Sequence, residues 1–450
     1  MRKTAFDIVY GTLENEKHSD DLFHWAIGRE DVNQALTRQE KNFVRRLSYG
    51  TIERTPEMDG IINHFSKTPV KKMKPVIRTI LRMGIYELIY MDSIPAAATC
   101  NEMVKLAKKK KFQHLGGFVN GVLRSVARTD KEELRRELLA ECRTAQEALS
   151  FTYSMPLELT TMLVKQYGKK TTEKILASFY KDKPMTIRVQ KMNADSAQVR
   201  KELEQAGVVV SLCTYLEEAF HIAGFERLET LPGFAEGHFT VQDESSMLPV
   251  LVSGIRPGNR VVDVCSSPGG KALHAVDRLR GEGMVSARDV SEKKIQKIKE
   301  NAERLKAPNL DIKIWDGTCP DGSWFQKADV VIADVPCSGI GVIGRKPEIK
   351  YSALSHAGQL KPIQRQIVRN AADMVKPGGT LIYSTCTINP AENEENADWI
   401  AQELSLTPVS LDEYLPKKLQ SKMTARGMLQ ILPGIHEGDG FFVAKFIKEA

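Results

Sequence analysis

The spacing of apolar residues divides the chain into three regions, and the first of them is helical. Across residues 4–128 apolar positions recur every three to four residues, most clearly in IRTILRMGIYELIY and FVNGVLRSVAR. This spacing predicts amphipathic helices. Pro95 predicts a break before another helix, and Gly116–Gly117 a helix stop after the basic segment KLAKKKKFQHL. Residues 130–147 read as a last helix or a helical linker, so we predict an all-α domain over residues 1–145.

The second region, residues 146–237, mixes both periodicities. YSMPLELTTMLVKQYG and SAQVRKELEQAG have helical spacing, and Asp195 or Ser196 is available as the cap of the second helix. MTIRVQ, VVVSLC and AFHIAG alternate as strands do. We therefore predict a small α+β domain, of the RRM-like kind, between the helical region and the rest of the chain.

In the third region, residues 238–450, strands alternate with helices. The predicted strands are RVVDVC, GMVSARDV, LDIKIWD, ADVVIADVP, TLIYSTC and FFVAKFIK, and helices such as SEKKIQKIKENAERLK lie between them. This alternation predicts a parallel, doubly wound sheet with helices on both faces. Ligands of such sheets bind beyond the carboxyl ends of the strands.

The composition is that of a soluble globular protein. Of 450 residues, 42% are hydrophobic and 27% charged. The first twenty residues carry acids where a signal peptide needs an apolar core, and no run approaches about 18 apolar residues. We therefore expect a cytoplasmic protein without a membrane span.

The positive charge is concentrated in the helical region. Residues 1–150 hold 26 Lys/Arg against 20 Asp/Glu, which is +6 of the net +7. A localised excess of this kind suits a polyanion such as nucleic acid. The alternative is a solvated helical surface, and the charge by itself favours that alternative.

The seven cysteines show no CxxC pair, so the spacing of zinc ligands is absent and we expect no metal ion. An odd number of cysteines in a cytoplasmic chain argues against a disulfide framework. Each cysteine then either packs in the hydrophobic core or takes part in the chemistry of a functional site.

The segment VVDVCSSPGGKALHAV carries the first chemical signal. An apolar strand runs into a glycine turn that opens a helix, where backbone N–H groups can hold the polar end of a ligand. Asp289, Asp316 and Asp334 end the three strands that follow. A single Asp at a strand end is commonly a cap or turn former, but their succession indicates a nucleoside-containing cofactor.

Cys337, in ADVPCSG, and Cys386, in YSTCT, each follow one of two successive predicted strands. If these strands are neighbours, both thiols reach one cleft, where one can act as a nucleophile and the other can assist. Lys271 is a candidate for the positive charge that lowers a thiol pKa. The alternative is that both cysteines are small residues at the ends of buried strands.

Taken together, these segments resemble the bacterial family of small-subunit (16S) rRNA cytosine-C5 methyltransferases of the RsmB/Sun (Fmu) type, within the NOL1/NOP2/Sun group. The resemblance rests on VVDVCSSPGGKALH, SARDVSEKKI, IWDGT, ADVPCSGIGVIGRKPEIKY, KPGGTLIYSTCTINPAENEEN and DGFFVAKF. It extends to the helical region, where ILRMGIYELIY, IPAAATCNEMVKLAKK and GFVNGVLR look like an N-terminal NusB-like domain.

The resemblance implies an S-adenosyl-L-methionine-dependent enzyme with a Rossmann-like class I methyltransferase domain over residues 238–450. Its catalytic residues are Cys386, which attacks carbon 6 of the cytosine, Cys337, which assists release, and Asp334. It implies these cofactor-binding residues: Cys265, Ser266, Ser267, Pro268, Gly269, Gly270, Lys271, Asp289, Asp316 and Asp334. It also implies an RNA-binding role for residues 1–145 and 146–237, including the Lys108–Lys111 run.

Several positions depart from the family pattern. SSPGG, DVPC and STCT are small changes, but Gln190 replaces the usual Asn, and no Trp follows Pro156. We expect a monomer that acts on 16S rRNA, either naked or in early subunit assembly. Two alternatives stay open: an RNA-binding assembly or antitermination factor without turnover, and an enzyme acting on tRNA or large-subunit rRNA.

Overall fold

The computed structural model describes residues 1–28 and 36–449, so the helical prediction for 29–35 lies outside the described residues. The chain forms two compact units. One contains Met1–Phe179 and Ile343–Ser352, and the other contains Tyr180–Val342 and Ala353–Ala450. Within the described ranges, no helix is both long and apolar enough to cross a membrane.

The first unit is helical, as predicted. Its α-helices, within the described part of the chain, are Arg2–Asn15, Ser19–Gly28, Arg38–Glu53, Thr55–Phe65, Pro75–Tyr90, Ala96–Lys109, Gly116–Arg128, Lys131–Ala140, Ala145–Thr152 and Leu157–Ser178, the last interrupted at Gly168. The apolar faces of most of these helices share one core, in which Ile80, Leu81 and Leu123 are fully buried.

Local chemistry fixes several helix boundaries. Thr37 and Glu40 form a capping box that opens Arg38–Glu53, and Asp130 accepts the N–H groups of two residues in the first turn of Lys131–Ala140. The predicted stop at Gly116–Gly117 is wrong. The basic helix already ends at Lys109, and Gly116 begins the next helix, because a short 3₁₀ turn makes the connection.

A short segment from late in the chain belongs to the helical unit. Within Ile343–Ser352, the Lys350 ammonium donates to the carbonyl oxygen of Ser154 at 2.8 Å and to that of Glu53. Burial lowers the pKa of Lys350 to about 7. Ser19 Oγ donates to Glu348 at 3.0 Å. Nothing in the apolar pattern predicts this insertion, because the contacts are polar and distant in sequence.

The second unit begins with a small antiparallel sheet. Its strands are β1 Met185–Val189, β2 Val209–Leu212, β3 Ala219–Ala223 and β4 Phe239–Val241. They are ordered β2-β3-β1-β4, with the helix Ser196–Gln205 between β1 and β2. Asp195 caps this helix. The predicted domain boundary at 237/238 falls just before β4, which pairs with β1.

The large sheet carries the six predicted strands. It contains β5 Arg260–Asp263, β6 Met284–Asp289, β7 Leu310–Ile314, β8 Ala328–Asp334, β9 Val375–Thr385, β10 Leu406–Pro408, β11 Met428–Ile431 and β12 Phe441–Lys448. Its order is β10-β12-β9-β8-β5-β6-β7, with β11 also paired to β12. The strands β5 to β9 are parallel, as predicted, but β12 is antiparallel to β9, and β10 and β11 were not predicted.

The helices on this sheet are Glu244–Ser253, Gly270–Leu279, Glu292–Arg304, Ala353–Met374, Glu394–Glu403 and the short Lys422–Ala425. Both faces of the sheet are buried. Val262 and Val331 enter one core cluster, and their neighbours Val261 and Val330 enter the other. Strands covered on both faces must be apolar throughout. Because both faces of the sheet are covered, a ligand can reach it at the carboxyl ends of the strands.

Candidate active site

The two predicted cysteines lie together at the carboxyl ends of β8 and β9. These strands are adjacent and parallel, and Cys337 Sγ lies 3.2 Å from Cys386 Sγ. The backbone supports this approach, because Val335 N–H donates to the carbonyl oxygen of Ser384 at 3.1 Å. The hydrogen bond to Cys386 and burial raise the pKa of Cys337 well above its ordinary value. Cys337 therefore carries its proton at neutral pH.

An ion pair lies beside the two thiols. Lys271 Nζ is 2.6 Å from Asp334 Oδ2, and Ser384 Oγ donates to Asp334 Oδ1 at 2.8 Å. Burial acts to lower the pKa of Lys271, but Asp334, with smaller contributions from Asp263 and Cys386, raises it above its ordinary value. A permanent positive charge is thus held where the Cys386 thiolate would form.

Asp263, at the end of β5, is a further residue of this cluster that sequence reasoning did not assign. Its side chain is fully buried, and its Oδ2 lacks a hydrogen-bond partner among the described residues. Burial raises its pKa to about 7, although Lys271 opposes the shift. The signal was in the sequence, since Asp263 ends an apolar strand directly before the glycine turn.

The glycine turn connects β5 to the helix Gly270–Leu279, which is the local arrangement that the sequence predicts. Gly269 has φ +106°, and a Cβ there would meet Leu273 Cδ1 at 3.1 Å, so the turn requires glycine. Gly270 begins the helix Gly270–Leu279, whose first N–H groups have no partner within the helix. The backbone of Ser266 is held by a donated hydrogen bond to the carbonyl oxygen of Arg288 at 2.8 Å.

The rest of the turn is held by its neighbours along the sheet. Ser267 N–H donates to Asp289 Oδ2 at 2.9 Å, the Ser267–Pro268 peptide is cis, and Asn301 donates to the Pro268 carbonyl at 3.0 Å. Burial, with Asp263 next, raises the pKa of Cys265. Cys265 therefore serves as a neutral packing residue of this turn.

Asp289 ends β6 and Asp316 lies two residues beyond the end of the neighbouring β7, and their environments differ. Asp289 is buried and also accepts from Val290 N–H at 2.8 Å and from Lys294 at 2.9 Å. Asp316 is exposed and accepts from the backbone and hydroxyl of Thr318, which lower its pKa. Hence Asp289 shapes the glycine turn, whereas Asp316 closes a turn of its own.

Two exposed apolar side chains stand near these acids. Val290 directly follows Asp289 and is 54% exposed, and Ile314 ends β7 and is 53% exposed. Exposed aliphatic side chains at the carboxyl edge of a parallel sheet suit the flat face of a base. Together with the glycine turn, the free helix N-terminus and the buried acids, they fit a nucleoside-containing cofactor with a charged amino-acid end.

Glu392 accepts hydrogen bonds from both loops that carry the cysteines, a role that the sequence did not reveal. It is fully buried and accepts from Ser338 N–H at 2.8 Å, from Asn389 at 2.9 Å and from Gln364 at 3.0 Å. Ser338 Oγ also contacts Thr387 Oγ1 at 2.8 Å. The segment NPAENEEN is therefore a polar scaffold that joins the residue after Cys337 to the residue after Cys386.

In the helical unit, the Lys108–Lys111 run is mostly open to solvent. Lys108, Lys109 and Lys111 are exposed. Lys110 instead pairs with Asp7 at 2.7 Å and lies 4.2 Å from the centroid of the Phe6 ring. Three of the four lysines thus remain accessible to a polyanion.

The whole chain is similar to known proteins. The family model described as 16S rRNA methyltransferase RsmB/F matches residues 251–447. The chain is 32% identical over 457 residues to the probable ribosomal RNA small subunit methyltransferase B of Bacillus subtilis (strain 168), covering 100% of this chain and 99% of the relative. The chain belongs to the RsmB/F family of 16S rRNA methyltransferases. A Synechocystis relative of the same description is 31% identical, with 99% of each chain covered.

The other two regions match as well, and they confirm the predicted architecture. Residues 1–128 match the NusB family, and residues 155–228 match the ferredoxin-like domain of RsmF/B-like methyltransferases. Among solved structures, PH0851 has a TM-score of 0.80 at 23% identity, covering 99% of this chain and 98% of the other. NSun6 from Pyrococcus horikoshii with SFG has a TM-score of 0.58 at 20% identity, covering 66% and 98%. At these identities, the likeness shows a shared fold.

Proposed function

We propose that this protein transfers a methyl group from S-adenosyl-L-methionine to carbon 5 of a cytosine in 16S rRNA, through a covalent bond between Cys386 and carbon 6. Family membership supports methylation of small-subunit rRNA. The observation that carries the finer proposal is the pair of thiols 3.2 Å apart, beside the Lys271–Asp334 ion pair.

Carbon 5 of cytosine is too weak a nucleophile to be methylated directly. The Cys386 thiolate adds to carbon 6, which forms an S–C bond and places electron density on carbon 5. Transfer of the methyl group to carbon 5 would leave the cofactor as a neutral thioether. The carbon 5 proton then passes to solvent, and the electrons of the C–H bond restore the ring as the C–S bond breaks and the thiolate leaves. The positive charge of Lys271 favours the ionised thiol at both ends of this sequence.

Cys337 serves the release step. It is the protonated member of the pair and lies within hydrogen-bond distance of Cys386. A neutral thiol at this position can donate a hydrogen bond to the sulfur that leaves carbon 6. Asp334, held in place by Ser384, can accept a hydrogen bond from the amino group of the base.

The cofactor supplies an electrophilic methyl group on a sulfonium when it is bound. The N-terminus of the helix Gly270–Leu279 can hold a carboxylate, and Asp263 Oδ2 is a buried acceptor for an amino group. Asp289 can accept from ribose hydroxyls, while Val290 and Ile314 can cover a base. Asp316, which is exposed beyond β7, is a further polar group at this edge.

We also propose that the NusB-like and ferredoxin-like regions bind 16S rRNA and that the protein acts as a monomer. The charge supports the first point, since +6 of the net +7 lies in residues 1–150. Binding that depends on phosphate contacts weakens steeply with salt. A target cytosine within paired RNA must also be flipped out to reach Cys386.

The deciding experiment incubates the purified protein with methyl-labelled S-adenosyl-L-methionine and unmodified 16S rRNA, with tRNA and large-subunit rRNA in parallel. We expect label as 5-methylcytosine at one small-subunit site. The Cys337→Ala variant, run on a denaturing gel, should show a covalent protein–RNA adduct. Label at a different atom, or none on free RNA or on assembling subunits, would overturn the proposal and favour a binding factor without turnover.

A further inference from the structure

A second thiol in the same unit lies in a different constellation. Cys213, directly after β2, is close to His221 on β3 and to Glu244, the first residue of the helix Glu244–Ser253. One ligand atom from each side chain lies within 4.8 Å of the other two. All three residues belong to the Tyr180–Val342 part of the second unit, so one compact body holds them together.

The distance between the thiol and the imidazole matches one edge of a metal tetrahedron. Cys213 Sγ lies 3.7 Å from His221 Nε2 and 3.8 Å from Nδ1. A tetrahedral zinc ion with Zn–S of about 2.3 Å and Zn–N of about 2.05 Å separates its sulfur and nitrogen ligands by about 3.6 Å. The Glu244 oxygen lies within 4.8 Å of both ligand atoms, and its side chain would adjust to complete the site.

The carboxylate offers an unused ligand atom. Glu244 is fully buried, and its Oε1 accepts the Tyr215 N–H, whereas its Oε2 has no hydrogen-bond partner in the part of the chain that is described. A buried carboxylate oxygen without a partner is costly. A cation between Oε2, the thiol and the imidazole would satisfy it.

The imidazole is already oriented for such a cation. His221 Nδ1 lies 3.0 Å from Thr186 Oγ1 on β1. A hydrogen bond on one ring nitrogen directs the other nitrogen toward a metal, as is usual for histidine ligands. In the tautomer whose Nδ1–H donates to Thr186, Nε2 is available, and it lies 3.7 Å from Cys213 Sγ.

The surrounding charge favours a cation as well. Besides Glu244, the acids Asp243 and Glu437 lie near the Cys213 thiol. A bound divalent ion would offset these negative charges.

We propose that Cys213, His221 and Glu244 form a zinc-class metal site, in which water or another small ligand takes the fourth position. This metal site differs in position and partners from the site of Cys386. The metal proposal therefore does not depend on the methyl-transfer proposal. Its ligands come from the antiparallel sheet and from a helix that packs on the large sheet, so the metal would join these two layers.

The test titrates zinc into a Cys337→Ala/Cys386→Ala background, which removes the other thiol pair. We expect one equivalent bound by calorimetry, proton release, a higher melting temperature, and a thiolate-to-metal charge-transfer band with Co²⁺. Cys213→Ser and His221→Gln should each abolish this equivalent, while Cys142→Ser in the helical unit should leave it unchanged. Thr186→Val should weaken affinity by roughly 10-fold.

Two results would overturn the site. One is the absence of a stoichiometric equivalent in the background protein, and the other is binding that survives both Cys213→Ser and His221→Gln. Glu244 also holds the Tyr215 backbone, so Glu244→Gln is expected to lower the melting temperature even without metal. The cysteine and histidine variants therefore decide the question.

Discussion

The second unit contains two thiol centres that differ mainly in the charge around them. Cys337 and Cys386 lie beside Lys271, whose own pKa is raised by Asp334 and, to a smaller extent, by Cys386. Cys213 instead lies among acids, with Glu244 contributing most after burial. A cation stabilises a thiolate for attack, whereas acids keep a thiol protonated until a metal replaces the proton. Local charge thus separates the proposed nucleophile from the proposed metal ligand.

Each centre also contains a buried carboxyl group with an unpaired oxygen. Asp263 Oδ2 and Glu244 Oε2 both lack a hydrogen-bond partner among the described residues, and burial raises the pKa of both groups. At the first centre the cofactor's amino group is the proposed partner, and at the second it is the metal. The substitutions below test whether the two thiol centres have distinct roles.

The largest expected effect separates the two thiols directly. Cys386→Ala should lower methyl transfer by at least about 10⁴-fold, because the covalent step is lost. Cys213→Ala should change the rate by less than about twofold in the same labelled-methyl assay. Equal losses in the two variants would contradict the division of roles.

Cys337→Ala tests the partnership within the first centre. Turnover should fall by about 100-fold, because release slows while attack remains possible. A covalent RNA adduct should then accumulate on a denaturing gel. The double variant Cys337→Ala/Cys386→Ala is the control and should form no adduct; an adduct in that variant would assign the attack to another residue.

Lys271→Met removes the cation that distinguishes the centres. The thiol should then ionise at higher pH, so the acid limb of the pH–rate profile should shift upward by about one unit or more. The rate at neutral pH should fall by about 10–100-fold. Lys271→Arg keeps the charge and should retain the original profile, and an unshifted profile in Lys271→Met would refute the electrostatic role.

Asp263→Asn tests the buried carboxyl of the first centre through stability. Asp263 holds its proton up to about pH 7 in the folded state, against an ordinary pKa of 3.8. The folded state therefore binds more protons between these values, and the free energy of unfolding falls as pH rises through that window. The shift corresponds to at most about 4 kcal/mol. Chemical denaturation of Asp263→Asn between pH 4 and 7 should show a flatter dependence than the parent.

Glu392→Gln should give the smallest loss, chiefly in stability. The amide NH2 replaces one carboxylate oxygen and then opposes either Ser338 N–H and Gln364, at Oε1, or Asn389, at Oε2, which costs about 2–3 kcal/mol. Urea denaturation measures this loss, and methyl transfer should fall several-fold as the cysteine loops loosen. Glu395→Gln, at an exposed residue paired with Lys361, should cost less than about 1 kcal/mol. Equal costs would show that Glu392 is not a scaffold.

The apolar pattern of the sequence determined the order of elements, because burial on one or both faces imposes periods of 3.6 and 2 on any chain. It therefore predicted the helical region, the small α+β region and the six strands of the large sheet. It also predicted that Cys337 and Cys386 share one cleft if their strands are neighbours, and the structure shows that β8 and β9 are.

Only the tertiary structure decided the polar contacts between residues distant in sequence. The antiparallel β12, the Glu392 scaffold and the placement of Ile343–Ser352 in the helical unit belong to this class. The Cys213–His221–Glu244 cluster does too, because its residues lie just after β2, in the middle of β3 and at the start of a helix, without the spacing of a zinc motif. Periodicity reports which side chains are buried, but not which polar groups meet once they are.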